Sequence, residues 1–567
     1  MRLLLLAAFA GVVWSAPTVT QADFDKLVDR YFDEYYRYHP SQATSDGFHQ
    51  YDAQLEDYSL AVIAAETRSL EQFLGQVEHF PAEGLSAEAA ADREMVIHRI
   101  RSRLLDIEKI RLWEKNPDGY SSALASSAFS IMSRNFAQPE ERLKSLVARE
   151  KLMPNALAQG RRNLRNPPRV YTEVALEQLP GIVGFFKTDV PSAFHDVKDR
   201  KLLDEFHASN QAVIDALTEY QKFVKDTLLP RSNGEFKIGA ENFHNKLSYD
   251  EMVDTPLDKV LAIGYQNLHQ NQAAFRETAA KIDPHRTPQQ ILQELEKDHP
   301  PADALLQTFR DVLGGLRQFI VSHKIVTLPS PDSPIVKPTP PFAAALSTAS
   351  MDSPGPYERV AKEAFFNVTL PDPGWTKEHV EDYLQAFNRG TVISTAVHEV
   401  YPGHYTQFLW IKNAPSRVRK LIDANSNAEG WAHYTEQMML DEGYGNGDLK
   451  LRLGQLQDAL LRNARYVVGI EMHTGKMSFD QAVDFFVKEG FQTRAIGEEE
   501  TKRGTSDPTY LYYTLGKLEI LKLREDYRKL RGSAFSLLDF HDKFLAQGCP
   551  PIKIVRRALL GNDSPVL

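Results

Sequence analysis

Apolar residues recur every three to four positions through most of this chain. Phe24, Leu27, Val28, Tyr31 and Phe32 fall on one face at helical spacing. Comparable periodicity runs through residues 87–113, 139–160, 202–229 and 257–282. These stripes predict helix after helix from residue 22 to about residue 325, with the apolar faces forming core. The pattern changes at Thr327. Pro329, Pro331, Pro334, Pro338, Pro340 and Pro341 crowd the next stretch, and proline is excluded from helix interiors. Ala364–Leu370 has strand character and is closed by Pro371 and Pro373. Residues 327–370 are therefore the expected β material. Helices resume near Trp375 and continue almost to the end. The expected fold is mainly α, a large multi-helix structure with a small β element near its site.

The first sixteen residues stand apart. Met1 and Arg2 precede an apolar run, Leu3–Val13, and a small residue at Ala16. That layout predicts a signal peptide over residues 1–16. The run is shorter than the roughly 20 residues a membrane span takes, and no later stretch is apolar enough to be one. No cysteine follows the run, so no lipid anchor is expected. The expectation is an exported protein, periplasmic or secreted, with no membrane span. Residues 17–567 read as a single large helical unit, with a helical part at about 20–325, a proline-rich segment at 327–370 and a second helical part at 375–567.

Composition narrows the chemistry. Lys+Arg number 66 and Asp+Glu 76, a net charge of −10, which argues against a nucleic-acid partner. The one cysteine, Cys549, excludes an intrachain disulfide and a cysteine-rich metal cluster. No Gly-x-Ser-x-Gly turn is present, so serine-nucleophile chemistry has little support.

Histidine and glutamate remain. Residues 398–404 read His-Glu-Val-Tyr-Pro-Gly-His. Zinc peptidase helices commonly carry two histidines four apart with a glutamate after the first. Here the histidines are six apart, which on a straight helix is roughly 120° out of phase. Pro402 breaks the helix and Gly403 loosens the backbone, so the pair offers a way to return His404 beside His398. Twenty-five residues after His404 comes Glu429, in Glu-Gly-Trp-Ala-His-Tyr-Thr-Glu. That separation lets a second helix bring Glu429 back. Two histidines and one carboxylate make a three-ligand catalytic zinc site with a position open for water. Glu399 is then the general base. Gly430 would allow close helix approach. His433 shares a face with Glu429 and reads as a fourth ligand, a partner behind the ligands or a substrate contact.

His-Glu-x-x-Pro-Gly-His followed by Glu-Gly-Trp-Ala-x-Tyr resembles a bacterial, exported family of unknown function, itself similar to the zinc peptidases with two histidines and a glutamate (gluzincins). The resemblance extends over nearly the whole mature chain, including His39–Gly47. It implies a mainly helical fold with a deep channel, one zinc on His398, His404 and Glu429, and a peptide substrate. Two further patterns match with departures. Arg465 and His473 are in register, but the carboxylate expected between them is Gly469. Arg503, Tyr513 and Gly516 are in register, but the expected glutamine is Tyr510. The resemblance makes Tyr513 a candidate oxyanion donor and Arg503 a candidate for a peptide carboxylate, with Arg465 and His473 as further substrate-binding candidates. The expected function is zinc-dependent hydrolysis of small peptides, of carboxypeptidase or oligopeptidase type. Alternatives are a metal hydrolase of another amide or ester, and an inactive exported binding protein.

Overall fold

The computed structural model describes residues 20–340 and 348–567. The expected signal peptide and Pro341 lie outside the described residues. The fold is mainly α. Gln21–Tyr38 is a helix whose buried face is Phe24, Leu27, Val28, Tyr31, Phe32 and Tyr36. The 257–282 stripe is one helix, Leu257–Ile282. The 139–160 stripe is two, Pro139–Glu150 and Met153–Asn163. Pro154 opens the second, where a missing N–H breaks no helical bond. The 87–113 stripe runs as Ala87–Leu105 and a wide turn over Asp106–Ile110, closed by Arg111 at a φ of 56°.

Three of the larger cores hold most of these helices, and Leu257–Ile282 packs in two smaller ones. One joins Pro117–Met132, Arg169–Ala193 and Arg200–Phe223. A second joins Gln21–Tyr38 and Ala87–Leu105 to Val418, Ile422 and Ile554. The third is built on Leu305–His323, the sheet, Arg389–Glu399, Asn425–Asp441 and Tyr512–Arg531. Apolar side chains far apart in sequence thus share cores, and the C-terminal helices are gripped from both sides.

The sheet has strands β1 (Ile335–Pro338), β2 (Ala349–Asp352) and β3 (Phe365–Val368), in the order β1-β3-β2. β1 runs parallel to β3, with Val336 opposite Phe366. β2 runs antiparallel, with Met351 opposite Phe366. Phe366 and Val368 are completely buried. The Ala364–Leu370 segment is not free to pair with a substrate strand, because β3 is paired on both sides. The edge facing the site is β2, whose Met351 N–H points away from β3 onto Glu399 Oε2 at 3.0 Å.

Candidate metal centre

Asn388 caps the Arg389–Glu399 helix by accepting from the N–H groups of Gly390 and Thr391. His398 and Glu399 are its last two residues. The chain then breaks over 400–403, with a cis Tyr401–Pro402 bond, and His404 opens the next helix, His404–Ile411. Gly403 has an ordinary negative φ of −68°. Its requirement is space, since a Cβ there would stand 1.8 Å from the His398 carbonyl oxygen. Glycine at this position lets the chain fold back against the end of its own helix. The two imidazoles then lie 4.8 Å apart, edge to face.

Glu429 comes from the Asn425–Asp441 helix. That helix crosses Tyr512–Arg531 at Gly430 and Gly516, where a Cβ on Gly430 would be 2.5 Å from the Gly516 Cα. Glu429 Oε2 lies 3.3 Å from His398 Nε2 and 3.3 Å from His404 Nε2. The three donor atoms fall within 4.8 Å of one another. A tetrahedral ion 2.0–2.1 Å from each ligand would separate them by roughly 3.3 Å. The donor set, two imidazoles and a carboxylate, suits zinc. These residues fit the ion.

Behind the triangle lies a completely buried carboxylate, Glu436. Its Oε1 accepts from His398 Nδ1 at 2.7 Å and from Arg462 Nη2 at 3.0 Å. Its Oε2 accepts from His433 Nδ1 at 3.0 Å. Burial opposes its charge, but Arg462, His433 and His398 outweigh burial and hold the carboxyl well below the usual range. A charged Glu436 fixes the His398 proton on Nδ1 and leaves Nε2 as a lone-pair donor toward the ion position. Burial pushes the Glu399 carboxyl above its usual range, with Glu429 adding to the push against His398 and His404.

The other sequence candidates divide. Tyr513 is at the site, its ring 6.3 Å from that of His398 and nearly parallel to it. Arg503 Nη2 donates to the Tyr513 hydroxyl at 3.2 Å. Arg465 is buried and gripped by both oxygens of Glu500 at 2.6 Å, with its guanidinium over the Tyr513 ring. It therefore lies against Tyr513 with its guanidinium held by Glu500. His433 is buried on Glu436, away from any substrate; burial, with Lys517, pulls its pKa to about 3. His473 is fully buried, bonded to the Gly504 carbonyl at 2.7 Å and packed against Phe236 and Phe243. Burial pulls its pKa to about 4. The structure thus places His473 in the core and does not bring it to the triangle.

The two departures from the family pattern meet in space. A Cβ on Gly469 would stand 3.1 Å from the Tyr510 ring and 3.0 Å from the Pro508 carbonyl oxygen. Tyr510 fills the room a larger residue 469 would take. The carboxylate missing at 469 is supplied to Arg465 by Glu500, from the Arg494–Ser506 helix.

Sequence reasoning missed Glu436, Arg462, Glu500 and Met351. Glu436 carried a signal: it lies seven residues after Glu429, two turns along the same helix face. Glu500 and Met351 reach the site from other elements and carry no local signal.

A helical protein with a buried His-His-Glu triangle and a carboxylate behind it is thus the class that fold and site define. The chain belongs to the family described as bacterial protein of unknown function, DUF885, which matches residues 40–559. That meets the expectation of a bacterial family of unknown function. The fold is similar to that of a candidate lipoprotein of unknown function from Shewanella oneidensis. That structure has 27% identity and a TM-score of 0.78, covering 95% of this chain and 99% of that one. It is also similar to that of a candidate lipoprotein from Colwellia psychrerythraea. There the identity is 17% and the TM-score 0.80, covering 95% and 98%. No curated protein matches the chain. Among the described residues, no helix is long and apolar enough to cross a membrane.

Proposed function

We propose that the protein is an exported zinc-dependent peptidase that hydrolyses small peptides. The observation that carries this reading is the His398–His404–Glu429 triangle, with Glu429 Oε2 3.3 Å from each imidazole Nε2, closed behind by Glu436 and flanked by Glu399. Zinc held there would lower the pKa of water toward roughly 7 and polarise a scissile carbonyl.

This chain's own residues supply the rest. Glu399 takes the water proton and returns it to the leaving amine. Met351 N–H holds its Oε2, which leaves Oε1 to take the proton. The Tyr513 hydroxyl already accepts from Arg503, which leaves its own proton to donate to a developing oxyanion. His398 and His404 are each less than a tenth exposed, which favours short peptides over folded proteins.

The test is cleavage of a mixed peptide library by the mature chain loaded with zinc. Cleavage abolished by Glu399→Gln, with zinc retained, supports the reading. Undiminished cleavage in Glu399→Gln removes it.

A further inference from the structure

Arg99 is a half-buried cation without a direct carboxylate partner among the described residues. It lies on the Ala87–Leu105 helix, and its guanidinium makes one hydrogen bond, to the Tyr35 hydroxyl at 3.4 Å. Among the described residues no carboxylate comes within 4.0 Å of it. Three other arginines are held by carboxylates. Arg103, one turn on, is held by both oxygens of Glu66 at 2.7 and 3.0 Å. Arg419 is held by Asp92, and Arg465 by Glu500.

Its surroundings point to a ligand. Arg99 lines a cavity of about 270 Å³. Asn425 lines it too, and this is the first residue of the helix that carries Glu429 one turn later. Tyr35 lines a second cavity of about 560 Å³, walled by Tyr38, Tyr58, Trp113 and Tyr120, and Asp106 borders both. The two spaces thus adjoin, with Asp106 lining both and the Arg99–Tyr35 hydrogen bond joining a wall of each. Most other charges of the smaller cavity are occupied. Lys246 bridges Asp106 and Asp250 at 3.5 and 2.8 Å, and Glu251 accepts the Ser426 N–H at 2.8 Å. Asp423 is the remaining anion and does not draw a carboxylate. Arg503, by contrast, spends its tip on Tyr512, Tyr513 and Asp507.

We propose that Arg99 is the receptor for a substrate carboxylate, with the adjoining aromatic cavity taking a large apolar side chain beside it. Two parallel N–H···O bonds from the guanidinium would hold the anion. The larger cavity has the size of a small-ligand pocket. The ligand class is a short peptide with a carboxylate next to an aromatic or bulky aliphatic residue. Only the choice of a peptide rests on the peptidase reading.

Calorimetric binding to the full mature chain carrying Glu399→Gln tests this, since bound peptide is then not cut. The probes are N-acetyl-Ala-Phe as free acid, the same peptide as its C-terminal amide, and N-acetyl-Glu-Phe-amide. One carboxylate-bearing probe should bind about tenfold tighter than N-acetyl-Ala-Phe-amide, as a desolvated two-pronged ion pair warrants. The free acid winning identifies a chain terminus, and the glutamyl probe winning identifies a side chain. The preference should vanish in Arg99→Gln, return in part in Arg99→Lys, and persist in Asp423→Asn. Equal binding of all three probes overturns the proposal, as does a preference that survives Arg99→Gln or disappears in Asp423→Asn. Zinc content is read on the same samples. An Arg99-dependent preference without zinc keeps the subsite and removes the peptidase reading. Zinc bound without that preference does the reverse.

Discussion

The indole N–H of Trp431 donates to the carbonyl oxygen of Pro402 at 2.8 Å. This bond joins the loop between the two histidines to the helix that carries Glu429. Trp431 is completely buried and packs on Phe544 and His541. The loop is therefore held from outside its own helix. That is how histidines six apart meet at one point: the break over 400–403 turns the chain back, Gly403 makes room, and Trp431 fixes the result.

The crossing of Gly430 on Gly516 should be intolerant of a methyl group. Gly430→Ala would press a Cβ against backbone at 2.5 Å, and overpacking of this kind costs about 1–3 kcal/mol. Urea unfolding should show a lower midpoint and weaker zinc retention. Gly75→Ala is the control, because nothing lies within 4 Å of that Cβ; in a helix it should gain up to about 1 kcal/mol. Equal midpoints for Gly430→Ala and the parent would mean that the helices do not touch there.

Glu436→Gln should weaken zinc binding by about 10–100-fold while the chain stays folded, as expected for the partner of a metal-binding histidine. The amide keeps the volume but removes the charge that holds the His398 proton on Nδ1. Competition with a chelator reads the affinity, and circular dichroism reads the fold. Unchanged affinity would show that Glu436 serves only Arg462 and His433.

Much of this was legible in the sequence for physical reasons. Helical stripes such as Phe24 to Phe32 were readable because burial imposes their period. The triangle was readable because zinc needs His and carboxylate donors, and Pro402–Gly403 flagged the irregular spacing. Roles that depend on tertiary distance were not readable. His473 carries the same imidazole as His398, but the fold drives it into core. Glu500 comes to Arg465 from 35 residues away, so no local pattern announced it. The strand character of Ala364–Leu370 was readable, but its pairing with β1 and β2 was not, because those short strands carry no local signal of it.

The departures at 469 and 510 should behave as one unit. Gly469→Asp alone should destabilise, because the new side chain meets the Tyr510 ring and the Pro508 carbonyl. Combining it with Tyr510→Gln should recover part of the loss, with a coupling of about 0.5–3 kcal/mol for residues in contact. A double-mutant cycle in urea measures it. Strict additivity would refute the contact.

Glu66 should shape the acid limb of stability. Burial raises its carboxyl, but hydrogen bonds from His39 and Arg103 prevail and hold it at about 2 against a usual 4.5. A depressed folded pKa contributes stability that is complete above pH 4.5 and lost as the pH falls toward 2. At about 1.4 kcal/mol per pH unit the contribution is about 3 kcal/mol. Glu66→Gln should lower stability at pH 7 and flatten the profile between pH 4.5 and 2. An acid limb identical to the parent's would contradict this.

The most direct measurement is metal content by mass spectrometry on the purified mature chain, beside His398→Ala and Glu399→Gln. The account predicts about one zinc per chain in the parent and in Glu399→Gln, and none in His398→Ala, because His398 donates to the ion and Glu399 does not. No zinc in the parent after zinc is offered, or full zinc retention in His398→Ala, would contradict it.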